Sequence, residues 1–217
     1  MAYVVGLMAT DGCLISGRSV LNFKSQDEQL VRVFLSCLGR PLRYRTINGR
    51  TGRTHYVTQF GDAPFYRWLR TAGLMPRKSL VIGALAVPDD LLGHCARGLL
   101  DGDGSLIRYF YNCRGRTYEG FRTTFVSASG AHLEWLRERL AERFDVVGAL
   151  RLESPVWRLR YAIRESILLL PRLYTTADVP KLQRKWKVWS DYAEAHGYSP
   201  TSAEYLGRPF SLRGADC

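Results

Sequence analysis

Two aspartates stand at the ends of two matching apolar segments, and a glycine follows each of them. The first segment reads Val4-Val5-Gly6-Leu7-Met8-Ala9-Thr10-Asp11-Gly12, the second Ala96-Arg97-Gly98-Leu99-Leu100-Asp101-Gly102-Asp103-Gly104. A carboxylate at a helix C-terminus faces the negative end of the macrodipole, and two carboxylates brought together repel. Hard divalent cations relieve both penalties, since carboxylate, carbonyl and water oxygens suit Mg²⁺, which keeps several waters and binds substrate phosphate. The chemistry expected of such a pair is metal-assisted hydrolysis of a phosphodiester. A fold that needed only stability has no reason to put an acid at the unfavourable helix end twice. Asp101, two residues before Asp103, reads instead as a local or interface hydrogen bonder.

For the acids to meet, the two segments must pack side by side. Ala2, Gly6 and Thr10 recur every fourth residue, as do Gly98 and Gly102, so one stripe of each helix is stripped of large side chains. Such stripes let helix backbones approach and bring the C-terminal ends together. Gly12 is expected to take the left-handed conformation that ends a helix.

After each motif the same order of elements follows. In the first half a hairpin at 14–23 precedes a helix carrying Leu30, Val33, Phe34 and Leu38, which Gly39 ends. A second hairpin turns at Asn48-Gly49, and a helix over 63–72 leads to the basic turn Met75-Pro76-Arg77-Lys78-Ser79. Pro88-Asp89-Asp90 is a good helix start. The second half then repeats the order with a longer hairpin, a helix over 131–144, a hairpin over 149–162, a leucine-rich helix from Ile163, and the basic turn Pro180 to Lys185. The expected fold is α+β, two pseudo-symmetric αββαββα halves over 1–84 and 85–196, with a tail over 197–217.

The 217 residues carry 31 Lys plus Arg against 20 Asp plus Glu, a net charge of +11, which suits a polyanionic partner. Charge concentrates in the strands, at Arg43, Arg45, Arg50 and Arg53, at Arg108, Arg114, Arg116 and Arg122, and at Arg158 and Arg160. Alternation sets Arg158 and Arg160 opposite Trp157, Leu159 and Tyr161. Two such sheets would form a saddle whose ribbons enter a DNA major groove, with Thr46, Asn48, Thr58, Gln59 and Asn112 as further polar readers. Five cysteines in odd number and without a C-x-x-C pair argue for reduced thiols and against a zinc site. No run is long and apolar enough for a membrane span, and no leader is evident, so a cytoplasmic protein without membrane partner is expected.

The motif pair resembles that of the LAGLIDADG homing endonucleases of the single-chain type. The second copy follows it at Gly98, Leu99, Asp101, Asp103 and Gly104; the first keeps Gly6, Leu7, Asp11 and Gly12 but has Ala9-Thr10 before the acid. The resemblance spans about residues 2–192. It implies a monomeric, sequence-specific double-strand DNA endonuclease acting at a long pseudo-palindromic site, with one acid serving each strand. It also implies Mg²⁺, with Mn²⁺ or Ca²⁺ able to replace it for binding, held by Asp11 and Asp103 and by backbone groups of Thr10, Gly12, Gly102 and Gly104. Lys78 and Lys185 take the role of the family's lysine near the scissile phosphate, and Gln26 and Ser129 that of the polar residue holding active-site water. Two other uses of the fold remain open: a maturase bound to its own intron RNA, and a catalytically silent DNA-binding regulator.

Overall fold

Apolar side chains cover every side of the segment Ala2–Thr10, and a helix without a polar face has to lie inside the protein. In the computed structural model, which describes residues 1–41, 43–49 and 52–202, this segment forms α1 with Ala2 to Met8 all buried. Its counterpart α4 (Leu92–Gly102) is entered through a 3-10 turn at Asp89–Leu91 and is buried from Cys95 to Asp101.

The two helices meet backbone to backbone along the glycine stripe. A Cβ added at Gly6 would run into Cys95 O and stand 2.8 Å from Leu99 N; one at Gly98 would run into Tyr3 O. At the far end, a Cβ on Gly102 would sit 2.9 Å from Asp11 Oδ2. The small residues therefore set the separation of the helices and bring their C-terminal ends together.

Each half then repeats one order. The first runs β1 (Gly12–Leu14), β2 (Val20–Ser25), α2 (Glu28–Leu38), β3 (Arg45–Asn48), β4 (Thr54–Gly61) and α3 (Ala63–Thr71). The second runs β5 (Ser105–Cys113), β6 (Arg116–Ser127), α5 (Gly130–Phe144), β7 (Ala149–Glu153), β8 (Val156–Tyr161) and α6 (Ile163–Leu173). Both sheets are antiparallel, with strand orders β1-β2-β4-β3 and β5-β6-β8-β7. This is the expected α+β pair of αββαββα halves. The helices pack on one face of each sheet: Phe23 of β2 stacks on Phe34 of α2 at 4.2 Å, and Phe121 and Phe125 of β6 are buried with Leu133 and Leu136 of α5.

Three details depart from the sequence reading. Gly12 does not take a positive φ; α1 ends in Asp11 at φ −83°, and Gly12 already belongs to β1. Its missing side chain is explained by crowding, because a Cβ there would run into Met8. A seventh helix, α7 (Gln183–Ala195), follows the basic turn, with Lys185, Trp189, Tyr192 and Ala193 on its buried side. Finally, Cys13, Cys37 and Cys95 are free thiols but Cys113 is disulfide-bonded, so the expectation of reduced thiols throughout is not met. Among the described residues no helix is long and apolar enough to cross a membrane.

The segment joining the halves is fastened to α5. Ser129 Oγ donates to Ile82 O at 2.6 Å and His132 Nδ1 lies 2.7 Å from Gly83 O.

Candidate active site

Asp11 and Asp103 are the residues that end α1 and α4, so the glycine-lined helix pair delivers both carboxyls to one region. Asp11 is half-buried and opens on a cleft of about 510 Å³ lined by Ser25, Gln26, Tyr56, Gly102 and Arg184, among others. Asp103 keeps an exposed edge and borders a much smaller cavity, about 20 Å³, with Thr10, Ser127 and His132. Burial first, and the neighbouring Asp103 second, push the Asp11 carboxyl up to about 7. Burial likewise raises Asp103, against the pull of Lys185 and Lys78. Among the described residues neither carboxylate has a salt-bridge partner.

The lysines are at the site but bind something else. Lys78 and Lys185 are both buried. The Lys78 ammonium donates to Gly12 O and, at 3.4 Å, to Thr10 O. That of Lys185 donates to Leu100 O at 2.6 Å, Asp101 O at 2.8 Å and Gly102 O at 3.2 Å. Each ammonium thus satisfies carbonyls left over at the end of a motif helix and opposes its negative dipole end. Burial lowers Lys78, and lowers Lys185 to about 8. Arg77, just before Lys78, sits at φ 55°, a strained conformation for a non-glycine residue that the 3-10 turn after it exploits to aim Lys78 inward. Three of the four carbonyls expected as metal ligands, on Thr10, Gly12 and Gly102, therefore already accept from lysine.

Asp101 is wholly buried and is held by three donors. Tyr3 OH reaches its Oδ2 at 2.8 Å, Leu182 N reaches the same oxygen at 3.0 Å, and Tyr174 OH reaches Oδ1 at 3.5 Å. Burial nonetheless lifts it to about 6. Arg97 lies alongside, its guanidinium 5.1 Å above the Tyr3 ring and bonded to Pro180 O and Leu173 O. The network joins α1, α4 and the start of α7, and so fixes Lys185 against the end of α4. This is the interface role expected for Asp101.

Gln26 and Ser129 do not correspond. Asp27 and Ser129 are the N-cap residues of α2 and α5, and Ser25 and Ser127 each accept from the cap residue's N–H at 3.1 Å, so Gln26 matches Ala128. Gln26 is exposed on the wall of the Asp11 cleft. Ser129 is buried with its hydroxyl committed to Ile82 O.

No family model and no curated protein sequence matches the chain. Solved structures do. The homing endonuclease I-WcaI bound to its DNA recognition sequence is similar with a TM-score of 0.58 at 11% identity, over 86% of this chain and 83% of that one. The K262A mutant of I-SmaMI gives 0.62 at 10% identity over 89% of each chain. The N-terminal LAGLIDADG domain of DUF199/WhiA gives 0.55 at 12% identity over 84% of each. The chain has the LAGLIDADG homing-endonuclease fold.

In this LAGLIDADG fold the strand registers decide which side chains face away from the helices. In the first sheet, Tyr44 and Tyr56 touch on the α2 side, where Tyr44 OH donates to Glu28. Period two then turns Arg43, Arg45 and Gln59 outward, together with Asn22 and Lys24 of β2. Asn22 Nδ2 donates to Gln59 Oε1 at 3.3 Å. Asn48 and Thr46 fall on the helix side, and Thr58 is buried with its hydroxyl bonded to Arg43 O. Arg53 is exposed near the hairpin turn, whereas Arg50 lies outside the described residues.

In the second sheet Arg122, Arg158 and Arg160 face outward, as their common face with Glu153 requires: Arg158 meets it at 3.1 Å and Arg160 bonds it too. Arg114 and Arg116 are exposed at the β5–β6 turn. Arg108 faces the other way, bonded to Glu119 and stacked 5.9 Å above Tyr192 of α7, because α7 packs under this hairpin. Asn112 shares its side. Asn22, Lys24, Arg151 and Arg184 are the cleft and saddle residues that the sequence reading passed over. Asn22 and Lys24 alternate with the buried Phe23 along β2, and Arg151 pairs with Arg158 across the β7–β8 hairpin; alternation and hairpin pairing are the signals that point to these three.

Proposed function

We propose that the chain is a sequence-specific, divalent-metal-dependent endonuclease of double-stranded DNA. The observation that carries this reading is the pair Asp11 and Asp103, crowded carboxyls at two helix ends whose nearest lysines bond to backbone carbonyls instead. Two repelling acids that form no salt bridge among the described residues fit a hard divalent ion. Asp11 and Asp103 would hold Mg²⁺ chiefly through their carboxylates, since Thr10 O, Gly12 O and Gly102 O already accept from lysine. When bound, the ion supplies positive charge beside the reacting phosphate and polarises its oxygen.

The chain's own residues do the rest. Outward arginines of the saddle neutralise backbone phosphates, which gives affinity and its salt dependence. The Asn22–Gln59 amide pair and Arg45 offer hydrogen bonds to base edges. Gln26 and Arg184 on the cleft wall can donate to a phosphate oxygen and orient water beside Asp11. Lys78 and Lys185 clamp the helix ends, so that each acid stays aligned with one strand of a pseudo-twofold target. The I-WcaI and I-SmaMI structures, solved with a recognition sequence and with uncleavable DNA, lend support from the same fold.

A second reading, a DNA-binding protein that does not cut, draws on the engagement of those three carbonyls by lysine. The deciding experiment selects bound duplexes from a random-sequence pool and incubates them with the protein in Mg²⁺, Mn²⁺ or EDTA. The endonuclease reading expects metal-dependent cutting that Asp11→Asn and Asp103→Asn abolish on one strand each while binding survives. Tight, selective binding without cutting in either metal refutes it in favour of the silent binder, and selective retention of intron RNA over duplex refutes both.

A further inference from the structure

The two sheets present different chemistry on their outward faces. The first offers chiefly amides and cations, Asn22, Gln59, Lys24 and Arg45, with Val57 on that side buried and Ile47 half-buried. The second is extended, with β5 nine residues long where β1 has three. Along β5 the outward residues are Ile107, Tyr109 and Tyr111, each 38% exposed, and they pair across the ladder with Arg122, Gly120 and Tyr118. The only amide of the strand, Asn112, lies on the opposite side and is bonded to Thr117 at 2.8 Å.

This apolar row is built to hold its shape. Tyr109 lies against the backbone of β6, where a Cβ on Gly120 would run into its ring, and the Arg122 guanidinium covers it at 5.6 Å. Tyr111 stacks on Tyr118 at 5.7 Å with 23° between the planes. Side chains already fixed by their neighbours lose little freedom when a partner covers them. Arg116 and Arg122 on the same face, and Arg158 and Arg160 beyond, fit the row to a polyanion.

We infer that the outer part of the second half-site is recognised through thymine methyl groups, contacted by Ile107, Tyr109 and Tyr111. The inference rests on the double-stranded DNA reading above. In the major groove the thymine C5 methyl is the apolar mark of the base-pair code, and a two-stranded ribbon fits that groove. Residues two apart on a strand are about 6.8 Å apart, close to two base-pair rises of about 3.4 Å. The row therefore meets one base pair in every two, and the matching duplex carries thymine, on either strand, at alternate positions.

The test uses the full chain and the duplexes it selects from a random pool. Replacing thymine by deoxyuracil removes only the methyl. At the alternate positions of the second half-site this is expected to weaken binding about fourfold per methyl, and 5-methylcytosine at a cytosine-substituted position to recover part of the loss. The same exchange in the first half-site, where Ile47 on the outward face is half-buried, changes affinity at no more than a single position. Ile107→Ala and Tyr111→Ala, exposed positions whose thermal melts check the fold, abolish the thymine–uracil difference at their own base pairs. Selective binding with no such difference overturns this inference and leaves the DNA reading standing; absence of any sequence-selective duplex binding overturns both.

Discussion

Replacing Gly98 by alanine inserts one methyl group where two helix backbones touch. That methyl would run into Tyr3 O and stand 3.0 Å from both Gly6 Cα and Leu7 N. Comfortable contacts between such atoms are about 3.5–4.0 Å, so α1 and α4 have to part by roughly 1 Å. Overpacking of a core typically costs about 1–3 kcal/mol, and here no side chain can swing away, which sets the expectation at the upper end, about 3 kcal/mol. For a chain of this size that lowers the melting temperature by about 6–12 °C. The same shift moves Asp11 against Asp103, and an error of about 1 Å at reacting groups costs about 10²-fold in rate. Thermal melts followed by circular dichroism and strand-resolved cleavage, well below the melt, read the two effects. Gly83→Ala is the control: nothing lies within 4 Å of its added Cβ and its φ is ordinary, so it should be neutral or gain about 0.4–1 kcal/mol. A Gly98→Ala protein melting within a degree of the parent, or melting low yet cutting at full rate, refutes the argument that this seam sets the geometry of the acids.

Other consequences are equally direct. Tyr3→Phe strips one donor from the buried Asp101 carboxylate and should cost about 1–3 kcal/mol in urea unfolding, with no change of the fold; an unchanged midpoint would show that Leu182 N and Tyr174 OH suffice. Asp11 has a folded pKa of about 7, above the ordinary carboxylate value near 4, so the stability it gives is full below about pH 4 and is lost as pH rises through 7. In EDTA, Asp11→Asn should therefore raise the melting temperature clearly more at pH 8 than at pH 5, an order that equal gains at both pH values would contradict. Asp27→Ala removes the α2 cap, whose Oδ1 accepts from Gln29 N at 3.1 Å, and the 2.9 Å bond from Arg184; about 0.5–2 kcal/mol of stability should go, measured by thermal melts.

What the sequence displays is what short-range pattern controls. The glycine stripe, the Asp-Gly ends and the doubled order of hairpins and helices follow from spacing alone, and the structure has all of them. What it hides depends on distant packing. Arg108 looks like its neighbours until α7 folds beneath the hairpin and Glu119 and Tyr192 claim it. The helix α7 itself escaped because its basic start reads as a turn, while Trp189 and Tyr192 find their pocket against Phe121, far away in sequence. Asn48 has the amide of a base reader, but its parity with Tyr44 sets it on the helix side of the sheet, where it is exposed away from the saddle face. Nor could composition say that two lysines would choose helix-end carbonyls over nearby carboxylates, a choice made by the geometry of the last helical turn.

The bond from Tyr3 to Asp101 exists on one side of the seam alone. At the equivalent points of the opposite helices stand Cys95 and Ala9. Two copies of the second half, paired with each other, would bury two Asp101 carboxylates that keep Tyr174 OH and Leu182 N but lack the shorter bond from Tyr3, and two copies of the first would offer Tyr3 only Ala9. The halves have thus become strangers to themselves and complements to each other. Pairing between unlike partners lets each half carry a different outward face, and under the function proposed above the target then need not repeat.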